Sequence, residues 1–541
     1  MRNSPFATIG DVNVTVLAGA SVLLVPSATT SPPLEIVGEP LTDVDVQLSS
    51  YVAGGETQVT LFFTVSNPIP FDGEIHIVFP SGTQFANSTT AESPGTDIDG
   101  LLTPDVGSPP RLVLTRSLSG VVPRGTVVDD LVIAGVINRP HSGPFDVSVE
   151  IRNNGGVYVL SNATISSDTD LVPGPITAGS VTHADPTAGA TSQVTVGFTV
   201  SNPWPADGSI DLEFPTGYVF NVGAATTATS TIVDGTITVD GSAPPLITLT
   251  RSGGSDVPAA TVISDLVLSN VQSHPYAEAA VVDATTFLAS GLAIDSGTIV
   301  GEETRAGNVT SLAVTLADAS TFATTSVAFT WESQNGLPAY GSIRVEFPTE
   351  FALSVASLAV SSATITGTFV ASFDVASHSI LLLRQNDGNV LAPGAPMDID
   401  LVDVGVNPSA VQNTTFTLKT GTALGQAIDA GDVDGPVLTP ADLNDIVVTL
   451  DTLVAGESNG ELQFAFTTRT PVPSDARFVV DFPLGADCCT TNFGVPAAST
   501  ASGTLGIGGP ARFRGRRRLV DGSRSPQRQR RGDQCRHGRR V

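Results

Sequence analysis

Apolar and polar residues alternate with a period of two along most of this chain. In 210–214, Ile210, Leu212 and Phe214 share one face and Asp211 and Glu213 take the other. Ile75, Ile77 and Phe79 alternate with His76 and Val78, and Ile343, Val345 and Phe347 with Arg344 and Glu346. Phe478, Val480 and Phe482 alternate with Val479 and Asp481. Successive side chains of a strand point to opposite faces, so the pattern predicts half-buried antiparallel strands. The preceding segments alternate too, through Val59, Leu61, Phe63 and Val65, and through Val194, Val196, Phe198 and Val200. No stretch of twelve or more residues shows a capped 3.6 period. Thr, Val, Ser, Gly and Pro dominate, as in chains of short strands and turns.

The same strands recur. Residues 63–82, FTVSNPIPFDGEIHIVFPSG, return at 198–217 as FTVSNPWPADGSIDLEFPTG, with 13 of 20 positions identical at an offset of 135. Looser copies stand at 329–350 and 466–485, and the Phe-Pro pairs at Phe79, Phe214, Phe347 and Phe482 are 135, 133 and 135 residues apart. A second landmark, LTRSLSGVVPRGTVVDDLVIAGVINRP from Leu114, repeats in step from Leu249 and Leu382. A period of about 134 residues is too long for a solenoid unit and suits a whole domain. Proline and Asp-Gly (Asp72-Gly73, Asp207-Gly208) mark the turn between the strands.

About 7–9 strands at this spacing make an immunoglobulin-like sandwich the expected unit, since two sheets can bury their inner faces on each other. The expected organisation is a truncated preceding repeat over 1–36, repeats over 37–172, 173–302 and 303–436, a truncated fourth repeat over 437–509, and an Arg-rich tail over 510–541. The turn and strand, with the Leu-Thr-Arg landmark, resemble the Ig-like β-sandwich modules of large microbial cell-surface proteins, the adhesin-like and stalk-like arrays. That resemblance runs to about residue 505 and implies a spacer, adhesive or structural role outside the cell, at the cell surface.

Charge sharpens the picture. The chain has 41% hydrophobic and 14% charged residues and a formal net charge of −28. The last 32 residues hold 12 Arg and 2 Asp, which leaves −38 for the 509 before them. Such a body repels nucleic acid and anionic membrane surfaces and suits a hydrated layer, cation binding or a salty medium. The abrupt Arg enrichment reads as disorder or a frameshifted end, with a basic tail that binds nucleic acid or an acidic partner as the alternative. No apolar run of 18 residues exists, so no membrane-spanning helix is expected, and no signal peptide stands at the start. Cys488, Cys489 and Cys535 lack partners at metal-ligand spacing, and Arg531-Gly532-Asp533 is too short a match to carry adhesion.

Candidate chemistry is sparse. The six histidines sit in no HExxH, CxxC or nucleophile-elbow context, so an enzyme is not expected and no cofactor is called for. Calcium is the one ion to consider. Asp168, Asp170, Asp295 (with Glu302 and Glu303), Asp429, Asp432 and Asp434 fall at the expected junctions, and DAGDVDGP offers alternating carboxylates in an apparent loop. Asp also favours turns, which is the plainer reading. Ile69, Trp204, Leu337 and Val472 precede a proline at one turn position. Such a knob either plugs the open end of a sandwich or, at Trp204, stacks on a sugar. Arg116, Arg251 and Arg384 end one strand and are expected to pair with a carboxylate or cap loop carbonyls. Asn-x-Ser/Thr sequons stand at Asn13, Asn87, Asn162, Asn308 and Asn413, with Asn87 and Asn162 in apparent loops, whereas Asn67 and Asn202 precede proline.

These readings point to a non-catalytic structural or adhesive array whose repetition raises effective concentration. Its partners would be surface glycans or proteins, or neighbouring copies of itself. The alternatives are a carbohydrate-binding array, an accessory to a catalytic domain elsewhere, and a surface-layer lattice protein.

Overall fold

The computed structural model describes residues 38–451 apart from 96 and 355, residues 462–472 and 480, and the backbone of short strands elsewhere. Phe478, Phe482, the cysteines and the Arg-rich tail lie outside the described residues. The chain divides into two compact bodies. One holds 1–319, 323–408 and 412–438; the other holds 320–322, 409–411 and 439–541. The protein is all-β: among the described residues there is no α-helix, only a single 3-10 turn at Asn154–Gly156.

The first body is a tandem array of three immunoglobulin-like sandwiches. In the first, a six-stranded sheet runs in the order Leu101–Ser108, Arg111–Ser117, Glu74–Val78, Asp146–Arg152, Val159–Ser166, Glu39–Pro40. Against it lies a four-stranded sheet of Thr42–Leu48, Glu56–Thr64, Val127–Ile137 and Gln84–Glu92. The second module repeats both orders with strands from Gly174–Pro175 to Ala293–Glu303. Register follows the alternation. Ile75 pairs with Leu114 and Ile151, and Ile210 with Leu249 and Thr286.

The opening strand of each module serves both sheets. Its first residues pair in parallel with the module's last strand, Glu39 with Ser161 and Gly174 with Asp295, and the rest pairs antiparallel on the other sheet. Pro40 and Pro175 have no N–H to continue a ladder, so the strand is interrupted after each. Asn308 takes that place in the third module, where Gly307–Leu316 runs unbroken and joins both sheets into one of ten strands.

Each module has its own core. Leu61, Phe63, Ile75, Ile77 and Ile133 are buried in the first, Val196, Phe198, Ile210, Leu212 and Leu266 in the second, and Phe329, Ile343, Val345, Ile399 and Phe416 in the third. Residues of both sheets meet there, so burying the two inner faces drives the fold. One outward position departs from the alternation. His76 is buried because Glu74 Oε2 lies 2.6 Å from its Nε2 and the Arg111 guanidinium reaches its Nδ1 at 2.5 Å. In the second body, Leu443–Leu450 and Leu462–Thr468 form an antiparallel hairpin.

Candidate functional site at the module junctions

The turn that repeats in the sequence holds the junctions. In the second module the strand Thr191–Thr199 ends and Pro203 directs the chain into the turn, leaving Asn202 at the module's leading end. The Asn202 side-chain amide donates to the Ala53 carbonyl of the preceding module (3.1 Å) and to Asp295 Oδ1 of its own (2.7 Å). The other carboxylate oxygen of Asp295 accepts from the main-chain N–H groups of Ser201 and Asn202, both at 2.9 Å. Thr286 Oγ1 accepts from the Asp295 N–H at 3.1 Å.

The next junction repeats this arrangement. Asn335 donates to the Ala188 carbonyl (2.9 Å) and to Asp429 Oδ1 (2.8 Å). Its own N–H reaches Asp429 Oδ2 at 2.9 Å, and Thr420 Oγ1 accepts from the Asp429 N–H at 3.1 Å. Asp295 and Asp429 are both 0% exposed and have no cationic partner among these contacts. Burial pushes both carboxyls above the usual range, against the opposing pull of the Asn and main-chain donors. Each carboxylate is thus spent on orienting one amide, whose remaining hydrogen crosses the boundary.

At each junction one glycine on either side makes room. A Cβ on Gly174 would lie 2.3 Å from Asn202 Nδ2 and 2.4 Å from Asp295 Oδ1, and one on Gly307 would lie 2.2 Å from Asp429 Oδ1. On the preceding module, Gly54 and Gly189 have φ of +70° and +73°, and a Cβ on either would fall 1.8 Å from the clamp amide's oxygen. Main-chain bonds add to the boundary. The Ser142 N–H donates to Ala293 O across the first junction (2.8 Å), and the Ala277 N–H to Ala427 O across the second (2.6 Å). The connecting segments are tied down as well. Val172 exchanges bonds with Tyr51 and Ala53, and Arg305 with Pro186 and Ala188, at 2.7–2.9 Å.

Behind the clamp sits the apolar knob. Ile69, Trp204 and Leu337 are buried and bridge to Val122, Val257 and Leu391. The Trp204 ring is 1% exposed, with the Arg251 guanidinium carbon 4.8 Å from its centroid. The expected alternative of a sugar stacked on Trp204 meets no free ring face; the residue fills the end of its sandwich. Arg116, Arg251 and Arg384 are buried beside the knobs and donate to turn carbonyls: Ile69 and Gly120, Trp204, Pro205 and Ser255, then Pro338, Thr366 and Asn389. Asp99 adds a carboxylate to Arg116 at 2.9 Å.

The expected calcium ligands are not gathered. DAGDVDGP is not a loop: Ala427–Asp434 is the last strand of its module, so its carboxylates spread along a ladder. Asp432 and Asp434 are exposed and accept from Thr417 and Thr415 across the strand pair (2.5 and 2.9 Å). Asp168 and Asp170 are exposed. Among the described residues, the carboxylates close enough to share an ion are Asp97, Asp129 and Asp130 of the first module, away from both junctions. Two sequons also move. Asn87 and Asn162 lie in the strands Gln84–Glu92 and Val159–Ser166 rather than in loops. Thr89 of the first sequon is buried, donating to Ala86 and Gly135 carbonyls. Asn308 is exposed at a strand start, and Asn413 is exposed in the loop before Thr415–Gly421.

The clamp itself was not anticipated. Its signal was an asparagine recurring at one turn position, Asn67, Asn202 and Asn335, with an acid 93 residues after Asn202 and 94 after Asn335.

No protein-family model matches the chain, and no curated protein matches it. Solved structures similar to it include the C-terminal domain of the Streptococcus agalactiae AgI/II polypeptide BspA, 9% identical with a TM-score of 0.20, over 47% of this chain and 94% of that one. The C-terminal domain of the Streptococcus pyogenes antigen I/II-family protein AspA is 6% identical with a TM-score of 0.20, over 48% and 98%. The Escherichia coli adhesin FdeC is 12% identical with a TM-score of 0.18, over 75% and 100%. Likenesses this distant carry no argument about what this chain does.

Proposed function

We propose that this chain is a non-catalytic, extracellular structural or adhesive stalk, in which each sandwich is fixed to the next. The observation that carries this reading is the repeated junction. The same amide–carboxylate clamp, the same glycines and the same main-chain bond occur at both boundaries on different local sequences. Interfaces between domains of one chain ordinarily permit relative motion. Here an amide already oriented by its own module's buried carboxylate donates to a main-chain carbonyl of the preceding module, and separation breaks that bond and opens the buried site to water. A spacer that holds an end at a distance needs this property, and an enzyme or a loose linker does not. The buried Trp204 favours the stalk over the carbohydrate-binding array.

Small-angle scattering of the full-length protein tests the reading. The wild type should scatter as a stiff array, and Asn202→Ala with Asn335→Ala should give a broader, more compact distribution of sizes at unchanged secondary structure. A wild type already as flexible as the double variant would sink the proposal.

A further inference from the structure

The two clamp asparagines differ in their C-terminal neighbours. Asn202 precedes Pro203, and Asn335 precedes Gly336. Packing explains the glycine, since a Cβ there would come 2.5 Å from the Leu391 carbonyl oxygen. Leu391 is also held by Leu337, whose N–H donates to it at 3.0 Å. The chemical consequence is separate. An asparagine Cγ can be attacked by the main-chain nitrogen of the next residue. The new N–Cγ bond closes a five-membered succinimide, the Cγ–Nδ2 bond breaks, and the main-chain proton and the amide leave together as ammonia. Water then opens the ring to aspartate or isoaspartate. The step needs an N–H on the next residue and little bulk around it. Proline has no N–H, so Asn67 and Asn202 are barred, while Asn335-Gly336 has the least hindered nucleophile a chain can offer.

Resting on the stalk reading, we propose that Asn335 is a modification site, a deamidating asparagine whose conversion irreversibly releases the junction between the second and third modules. The intact clamp protects it. The side chain is buried, and both amide hydrogens are engaged by Ala188 O and Asp429 Oδ1. Ring closure therefore requires the clamp to open first. Once converted, the group facing those two acceptors is itself a carboxylate. Three acceptors then meet in a buried site that has lost both bridging amide hydrogens, and isoaspartate also adds a methylene to the main chain. Re-closure is disfavoured by desolvation and like charge together. The junction would thus record, in a covalent mark, how often it has opened.

The chain supplies its own control and its own readout. Asn154-Gly155 is an exposed Asn-Gly pair in the turn Asn154–Gly156, remote from either clamp. Arg305 is exposed in the second connecting segment, and its main chain is tied to Pro186 and Ala188. Trypsin can cut after Arg305 only when that segment peels away.

The full-length protein is aged in mildly alkaline buffer and mapped by peptide mass spectrometry, with tryptic cleavage after Arg305 followed in parallel. Asn154 should convert first and Asn335 more slowly. Asn335 should convert several-fold faster in Asp429→Ala, Asn202 should stay an amide, and cleavage after Arg305 should rise with the Asn335 product. Freshly made Asn335→Asp should be cut there about tenfold faster than wild type, the opening expected from one lost buried hydrogen bond. An Asn335 that stays intact in both wild type and Asp429→Ala after Asn154 has fully converted overturns the modification site. If Asn335→Asp resists trypsin like wild type, the clamp reading itself fails, and the release with it.

Discussion

The two junctions reach one geometry from different residues. The first is built from Ala53, Asn202 and Asp295, with a connecting segment that reads LVPGP over 171–175. The second uses Ala188, Asn335 and Asp429, with TRAGN over 304–308. Nearly everything between the anchors differs, including the proline or glycine after the asparagine. What persists is one amide, one buried acid, a glycine on each side and a main-chain bond. The first module shows the other side of this rule. Ser161 stands where Asp295 and Asp429 stand, and Asn67 donates instead to the Leu160 carbonyl at 2.8 Å. Junction geometry therefore resides in a few positions rather than in the composition of the connecting segment.

Removing the acid should break the comparison most strongly. Asp295→Ala leaves the Ser201 and Asn202 N–H groups and one Asn202 amide hydrogen without their acceptor. Each orphaned buried donor costs about 1–3 kcal/mol, so the second module should lose several kcal/mol in denaturant melts while the third keeps its stability. Asp429→Ala should do the reverse. Next comes Gly189→Ala. A left-handed φ costs a non-glycine residue roughly 1–2 kcal/mol, and the new Cβ would displace the Asn335 oxygen. Trypsin should then cut after Arg305 faster, with the first junction undisturbed.

A smaller effect separates the modules by pH. His183 and His274 of the second module are buried, with His183 Nε2 2.9 Å from the Tyr218 hydroxyl and His274 stacked on Tyr276 at 4.6 Å. Burial lowers both imidazole pKa values, and for His183 the proximity of His274 lowers it further. The fold favours their neutral forms. Their contribution is complete above the free histidine value of about 6.5 and declines as pH falls below it towards the lowered values. The raised carboxyls of Asp295 and Asp429 have the opposite sign. Their burial is least costly in acid, and that relief is lost as pH rises through their folded values. Arg139 and Asn407 occupy the place of His274 in the other modules. Mild acid should therefore lower the melting temperature of the second module relative to the third, as read by module-resolved hydrogen exchange. The smallest effect concerns calcium. The junctions are closed by amide and main-chain hydrogen bonds to carbonyl oxygens, and the clamp carboxylates are already engaged by their own module's donors, so EGTA should leave the melting profile unchanged.

The sandwiches were legible because alternation is local. Ile210, Leu212 and Phe214 face the core wherever their partners come from, and repetition set the period. The recurring arginines could be read for the same reason, since a basic side chain at the end of a core strand in an acidic chain must find oxygen atoms nearby. The junctions were not legible. Asp295 meets Asn202 across 93 residues, and nothing local distinguishes a buried acid in a last strand from an acid in a turn. Asp429 was misplaced with Asp432 and Asp434 because Gly431 and Gly435 gave their strand the look of a loop. Asn202 stands in the repeated turn, but its following proline signals only a turn and a barred glycosylation site, neither of which points to a partner 93 residues away.

The most direct test is a distance across the first junction. Val127 and Val262 are exposed, each at 59%, and hold the same place in successive modules. With the native cysteines replaced, spin labels at these two positions in the full-length protein report how the first module sits on the second. A clamped junction gives one narrow distance distribution that broadens in Asn202→Ala. A broad distribution in the wild type, or a narrow one that Asn202→Ala leaves unchanged, would contradict the clamp.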